Sequence, residues 1–174
     1  MRQRIFNILA VLFFLSITSV EAKIGDWKAY MAYSEVQEME QVGNLIFVQA
    51  SNNLYVYNQN DHSIQTFSKM DCLSDCYIQH ISYNKASKRL VIFYSNANID
   101  LMNVSNFEVT NLSDYYTAST TGDKTVNDIY MYGKYAYISN GFGIIKINIA
   151  AGEISDTYNL GFNVNWCEIK DNHI

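Results

Sequence analysis

The chain has 174 residues, enough for one ordinary domain or part of a larger one, with 12 basic against 17 acidic side chains and a net charge of −5. An acidic chain without a basic run argues against a nucleic-acid partner. Aromatic residues make up 14%, Tyr alone counts 14 and Pro is absent, so the composition favours half-buried strands joined by Gly, Asn, Asp and Ser turns.

The first 22 residues stand apart. Arg2 and Arg4 precede a mostly apolar run, Ile5 to Val20, and Val20-Glu21-Ala22 offers a cleavage site after Ala22. That is the pattern of a cleaved secretory signal peptide. An uncleaved membrane anchor is the alternative, with a run somewhat short of the roughly 20 residues that span a bilayer. No Cys adjoins the cut, so a lipid anchor is not expected. The mature chain, from residue 23, is expected to be exported and to hold no transmembrane segment.

Beyond the leader one pattern repeats. "NLIFVQASNNLYVYN" (44–58), "KRLVIFYSNANIDLMN" (88–103) and "KYAYISNGFGIIKIN" (134–148) recur at an interval of 45 residues. Leu45, Leu90 and Tyr135 share one column of that offset, Leu54, Ile99 and Ile144 a second, and Asn58, Asn103 and Asn148 a third. Ile64, Val109 and Ile154 share a fourth. Each copy reads as two apolar runs about a polar turn, "SNN" at 51–53, "SNAN" at 95–98 and "NGFG" at 140–143, where Asn and Gly tolerate positive φ. A strand precedes each hairpin at 36–42, 77–83 and 126–132, and another follows in "SIQTF", "FEVTNL" and "EISDTY".

Four short antiparallel strands per repeat, at a period between 40 and 50, predict an all-β fold of β-propeller blades. The blades span about 36–67, 77–112 and 126–158, and a fourth begins at 162–174, where Val164-Asn165 stands as Val126-Asn127 did. Such a ring is incomplete, and the expectation is a partial copy of a longer protein. The alternative is a short chain that closes by self-association.

Familiar catalytic and metal-binding patterns are missing from the same residues. His62, His80 and His173 share no spacing, and His80, alternating with Ile78, reads as pointing outward from its strand. H-E-x-x-H and G-x-S-x-G are missing. "TGDKT" (121–125) ends like a phosphate loop without its upstream Gly and reads as a link between blades. Cys72, Cys76 and Cys167 are too few and too irregular for a disulfide framework. Cys72 and Cys76 either close a small ring in "MDCLSDC" or stay as free thiols, and they make a poor zinc site. The triplets at Asn103 and Asn111 are of the N-x-S form. Tyr130, Tyr132, Tyr135 and Tyr137 form either a sugar-stacking surface or inter-blade packing, the second being favoured. Asp71, Asp75 and Asp123 are scattered, which disfavours a propeller-borne polysaccharide enzyme. No catalytic residue, metal ligand or cofactor is expected, and no ligand-binding residue is identified.

"IGDWKAYMAY" (24–33), "LSDCYIQHISYN", "YSNANIDLM", "TGDKTVNDIYMYGKYAYISNGFGIIKINI" and "EISDTYNLGF" resemble the opening of PorZ-like proteins, propeller proteins of the type IX secretion system of Bacteroidetes. The resemblance implies two propellers and a C-terminal sorting domain, of which this chain holds only an unfinished first propeller. It implies a non-enzymatic adaptor at the periplasm or cell surface, outer-membrane associated. Its partners would be complex components, among them a sortase-like protein that removes cargo signals, and anionic lipopolysaccharide. The sensor propeller of a hybrid two-component regulator, with similar blades, is the alternative.

Overall fold

The computed structural model describes residues 30–119, 122–171 and 173–174. The expected signal peptide, most of "IGDWKAYMAY" and Thr121 of "TGDKT" lie outside the described residues.

The strands fall where the repeat places them. The first sheet joins β1 (Val36–Val42), β2 (Leu45–Ala50), β3 (Asn53–Asn58) and β4 (Ile64–Phe67). The second joins β5 (Ile78–Asn84), β6 (Arg89–Tyr94), β7 (Ile99–Asn103) and β8 (Val109–Leu112). The third joins β9 (Val126–Tyr132), β10 (Tyr135–Asn140), β11 (Gly143–Asn148) and β12 (Glu153–Asn159). Every pairing within a sheet is antiparallel between consecutive strands. Between sheets, β1 lies against β5 and β5 against β9. The first strand of each sheet is therefore innermost, which is the blade arrangement of a propeller. The sheets do not close into a ring.

The core lies between blades. Phe47, Leu54, Val56 and Phe67 of the first blade meet Ile81, Leu90, Ile92, Tyr94 and Met102 of the second. The opposite face of the second blade, through Val91, Phe93, Ile99 and Leu101, meets Ala136, Ile138, Ile145 and Ile147 of the third. The second blade is thus covered on both faces, which explains why β6 reads as a nearly continuous apolar run. Each fully buried Leu, Ile or Phe contributes about 1.5–3 kcal/mol.

The columns of the repeat hold with one exception. Leu54, Ile99 and Ile144 all face the following blade, whereas Val109 and Ile154, like Met102 and Ile147 beside them, face the preceding one. Leu45, Leu90 and Tyr135 do not share a seat. Leu45 pairs with Asn58 and Tyr135 with Asn148, but the partner of Asn103 is Arg89. Leu90, one residue on, pairs with Met102 and faces backward into the first interface. The cause is the longer "SNAN" turn, which adds a residue to this hairpin alone; a shift of one along a strand moves a side chain to the other face. Arg89 holds the expected seat and donates from Nη1 to the Ile149 carbonyl of the next blade at 3.1 Å.

The turns also differ in detail. Positive φ falls on Ser51 and Asn52 in the first hairpin and on Ala97 in the second. Among the described residues after β12 none forms a strand, and Lys170 and His173 make an isolated bridge. A blade's innermost strand has as its ladder partner only the strand that follows it, so the fourth repeat appears here without a ladder.

Candidate functional site

The innermost strands carry a shared irregularity. Pairing with β2 skips Gln37, pairing with β6 skips Gln79, and pairing with β10 skips Asn127. Each is a β-bulge, a device that re-aims the next side chain. The residues so aimed are Glu38, His80 and Asp128, and together with Glu40, Ser82 and Asn127 they line a cavity of about 270 Å³ on the channel side of the three blades.

The bulge amides tie blades together. Gln79 donates from Nε2 to the Val126 carbonyl at 3.2 Å, and Asn127 from Nδ2 to the Val164 carbonyl at 2.8 Å. Val164 therefore stands to the third blade as Val126 stands to the second. Cys167 and Ile169 pack back on Tyr137 and Ile144, so the fourth repeat is in register although it makes no ladder.

An innermost strand has one edge without a ladder, and its N–H groups need other acceptors. The carboxylates of β1 supply them. Glu38 accepts the Ile81 N–H on Oε2 at 2.7 Å, and Glu40 accepts the Tyr83 N–H on Oε1 at 3.1 Å. Oε1 of Glu38 lies 2.6 Å from Nδ1 of His80. This hydrogen bond raises His80 above its ordinary value, with help from the Glu38 charge, the Val126 backbone and, least, the Asp128 charge, against the opposing effect of partial burial. His80 is thus held between blades, where the sequence reading had it pointing outward.

The other singled-out residues stay apart. His62 hydrogen-bonds the Tyr57 hydroxyl at 2.6 Å on the exposed side of the first blade, and His173 sits in its bridge with Lys170. Among the described residues the three cysteines are free thiols, and no group of His, Cys, Asp and Glu could hold a metal ion. Burial raises the thiols of Cys72 and Cys167. Asp71 accepts from the Ser68 hydroxyl, Asp75 from Asn96, and Asp123 from Thr125. Lys124 donates to the carbonyls of Tyr115, Tyr116 and Ala118 around the short helix α1 (Asp114–Thr117), so "TGDKT" links the second and third blades with its ammonium already engaged. Asn103 and Asn111 use their amide groups within turns and between strands.

The Tyr cluster sits on the far face of the third blade. Tyr130, Tyr135, Tyr137 and Tyr158 surround Ile144 under the fourth repeat, and Tyr132 lies exposed at the rim. Lys146 stands over the Tyr135 ring, 4.3 Å from its centroid. Nothing in the repeat foretold the channel group, because turns and links of unequal length take Glu38, His80 and Asp128 off any common offset. A signal was present all the same in Val36-Gln37-Glu38, Ile78-Gln79-His80 and Val126-Asn127-Asp128: a β-branched residue, an amide and a channel side chain.

Fold and inner wall together define a β-propeller scaffold whose polar channel residues serve the joints between blades. The chain belongs to the family described as the N-terminal β-propeller domain of PorZ of the type IX secretion system, whose family model matches residues 46–174. It is similar to the solved structure of PorZ, an essential bacterial surface component of the type IX secretion system of Porphyromonas gingivalis, with 29% identity and a TM-score of 0.73 over 79% of this chain and 18% of that one. The extracellular domain of a putative hybrid two-component system from B. thetaiotaomicron shares the fold at 16% identity and a TM-score of 0.59, over 77% of this chain and 18% of that one. The chain thus spans about a fifth of the length of these relatives. No curated protein matches it. Among the described residues no helix is long and apolar enough to cross a membrane.

Proposed function

We propose that the chain is the opening part of an exported, non-enzymatic propeller adaptor of a type IX secretion complex. The adaptor helps remove cargo signals and attach the cargo to anionic lipopolysaccharide at the cell surface, working beside a sortase-like partner. The observation that carries this reading is the family match over residues 46–174, joined to 29% identity with a surface component of that secretion system. An adaptor needs a firm frame, and Glu38 and Glu40 supply one by accepting backbone N–H groups of the second blade. The sensor reading has only a likeness of fold behind it and is not advanced.

The test uses the complete protein in its native host. Deleting the gene should leave cargo proteins with their C-terminal signals uncleaved and without lipopolysaccharide, and affinity-tagged protein should co-purify with the sortase-like component. Normal cargo processing in the deletion strain, with no complex component recovered, overturns the proposal.

A further inference from the structure

The channel group joins three blades and not two. Glu38 comes from β1, His80 from β5 and Asp128 from β9, each placed by its own bulge. Glu38 and Glu40 from the first blade and Asp128 from the third line the same cavity as His80, and among the described residues no other cationic side chain lines it. The Glu38 carboxylate is shared, one oxygen on His80 Nδ1 at 2.6 Å and the other on the Ile81 N–H at 2.7 Å.

We propose that Glu38, His80 and Asp128 form a proton-operated clamp that fastens the inner strands of three consecutive blades at the channel wall. With the imidazole protonated, one cation stands among Glu38, Glu40 and Asp128 and offsets their mutual repulsion. Once the proton leaves, three carboxylates share the cavity with no cation among them, and the bond between Glu38 and His80 loses its charge assistance. The sign follows from the raised value of His80. The contribution is complete below the unfolded histidine value of about 6.5 and is lost as pH rises through the folded one. A propeller built this way has its tightest inner wall in mildly acidic surroundings and loosens in alkaline ones.

The complete protein carrying 13Cε1-histidine tests this by NMR titration, with His80→Gln assigning the resonance. His80 should titrate above the ordinary histidine value of about 6.5, and Glu38→Gln should lower it, with a smaller fall for Asp128→Asn. The Tm of the wild type should fall between pH 6 and pH 9 by more than that of His80→Gln. Titration at or below the ordinary histidine value, or a value unmoved in both carboxylate variants, overturns the clamp. Should Glu38→Gln fail to fold, the wild-type titration and Asp128→Asn decide the matter by the same criteria.

Discussion

A carboxylate with no exposed surface needs donors on several sides to keep its charge. Asp100, on β7, is in that position and accepts from the Tyr94 hydroxyl at 2.6 Å, the Ser74 N–H at 2.8 Å and the Asn111 amide at 2.9 Å. Burial, with the charge of Asp100 beside it, pushes the Tyr94 phenol far above its ordinary value. Tyr94 therefore remains a neutral donor at any pH the protein meets. Asp100 faces the first interface and also reaches Ser74 in the link that leads from the first blade into the second, so it braces that link as well as β6. Asp100→Ala should cost about 3–5 kcal/mol, since it strands a buried hydroxyl and a part-buried N–H together. Tyr94→Phe should cost only about 1–2 kcal/mol, because the carboxylate keeps its other donors. Urea unfolding of the complete protein measures both, and equal losses for the two variants contradict this account.

At the scale of the element, the repeat was legible because blade strands alternate faces and the following blade imposes the same demand each time. Leu54, Ile99 and Ile144 obey that demand, and so do Val109 and Ile154 on the reverse face. Leu90 escaped because a fixed offset is blind to one extra turn residue, although pairing partners reveal it at once. The channel group was unreadable for a related reason. Its side chains are aimed by bulges, and a bulge breaks the period of two on which strand reading rests. The turn "NGFG" gives a sharper case. Gly143 opens β11 at φ +155, and a β-carbon there would overlap the Tyr158 carbonyl on β12. Its glycine is required by the approach of the outer strand as well as by its own backbone conformation. Gly143→Ala should force β12 away at the Gly143–Asn159 pair and cost about 2 kcal/mol or more. Gly133→Ala should cost less, since its β-carbon would meet open space and only the left-handed backbone at φ +57 opposes it. Thermal melts of the two variants side by side check the order.

For the whole molecule, the decisive quantity is which blade faces have neighbours. A blade is too thin to hold a core of its own, so its stability comes from the interfaces on either side. The second blade has both: Leu90, Val91, Ile92, Phe93 and Tyr94 show no exposed surface. The first blade has one, and on its other face Met39 remains 65% exposed and Ile64 63%. The third blade has one full interface and a partial cover from the fourth repeat, with Phe162 and Trp166 still 61% and 69% exposed. Net stability of a domain is only about 5–15 kcal/mol, and uncovered apolar faces of this size remove a large part of what would sustain it. The polypeptide 23–174 on its own is therefore expected to keep a β-sheet far-UV spectrum, bind a hydrophobic dye and melt without a sharp transition. Its amide exchange should be graded, slowest in β6 and β7 and fastest in β1 and β12, because protection follows the number of covered faces. A monomer of residues 23–174 that melts sharply, binds no dye and protects all three sheets equally would mean that each blade is stable without a neighbour, and the interface account of this propeller would fail with that result.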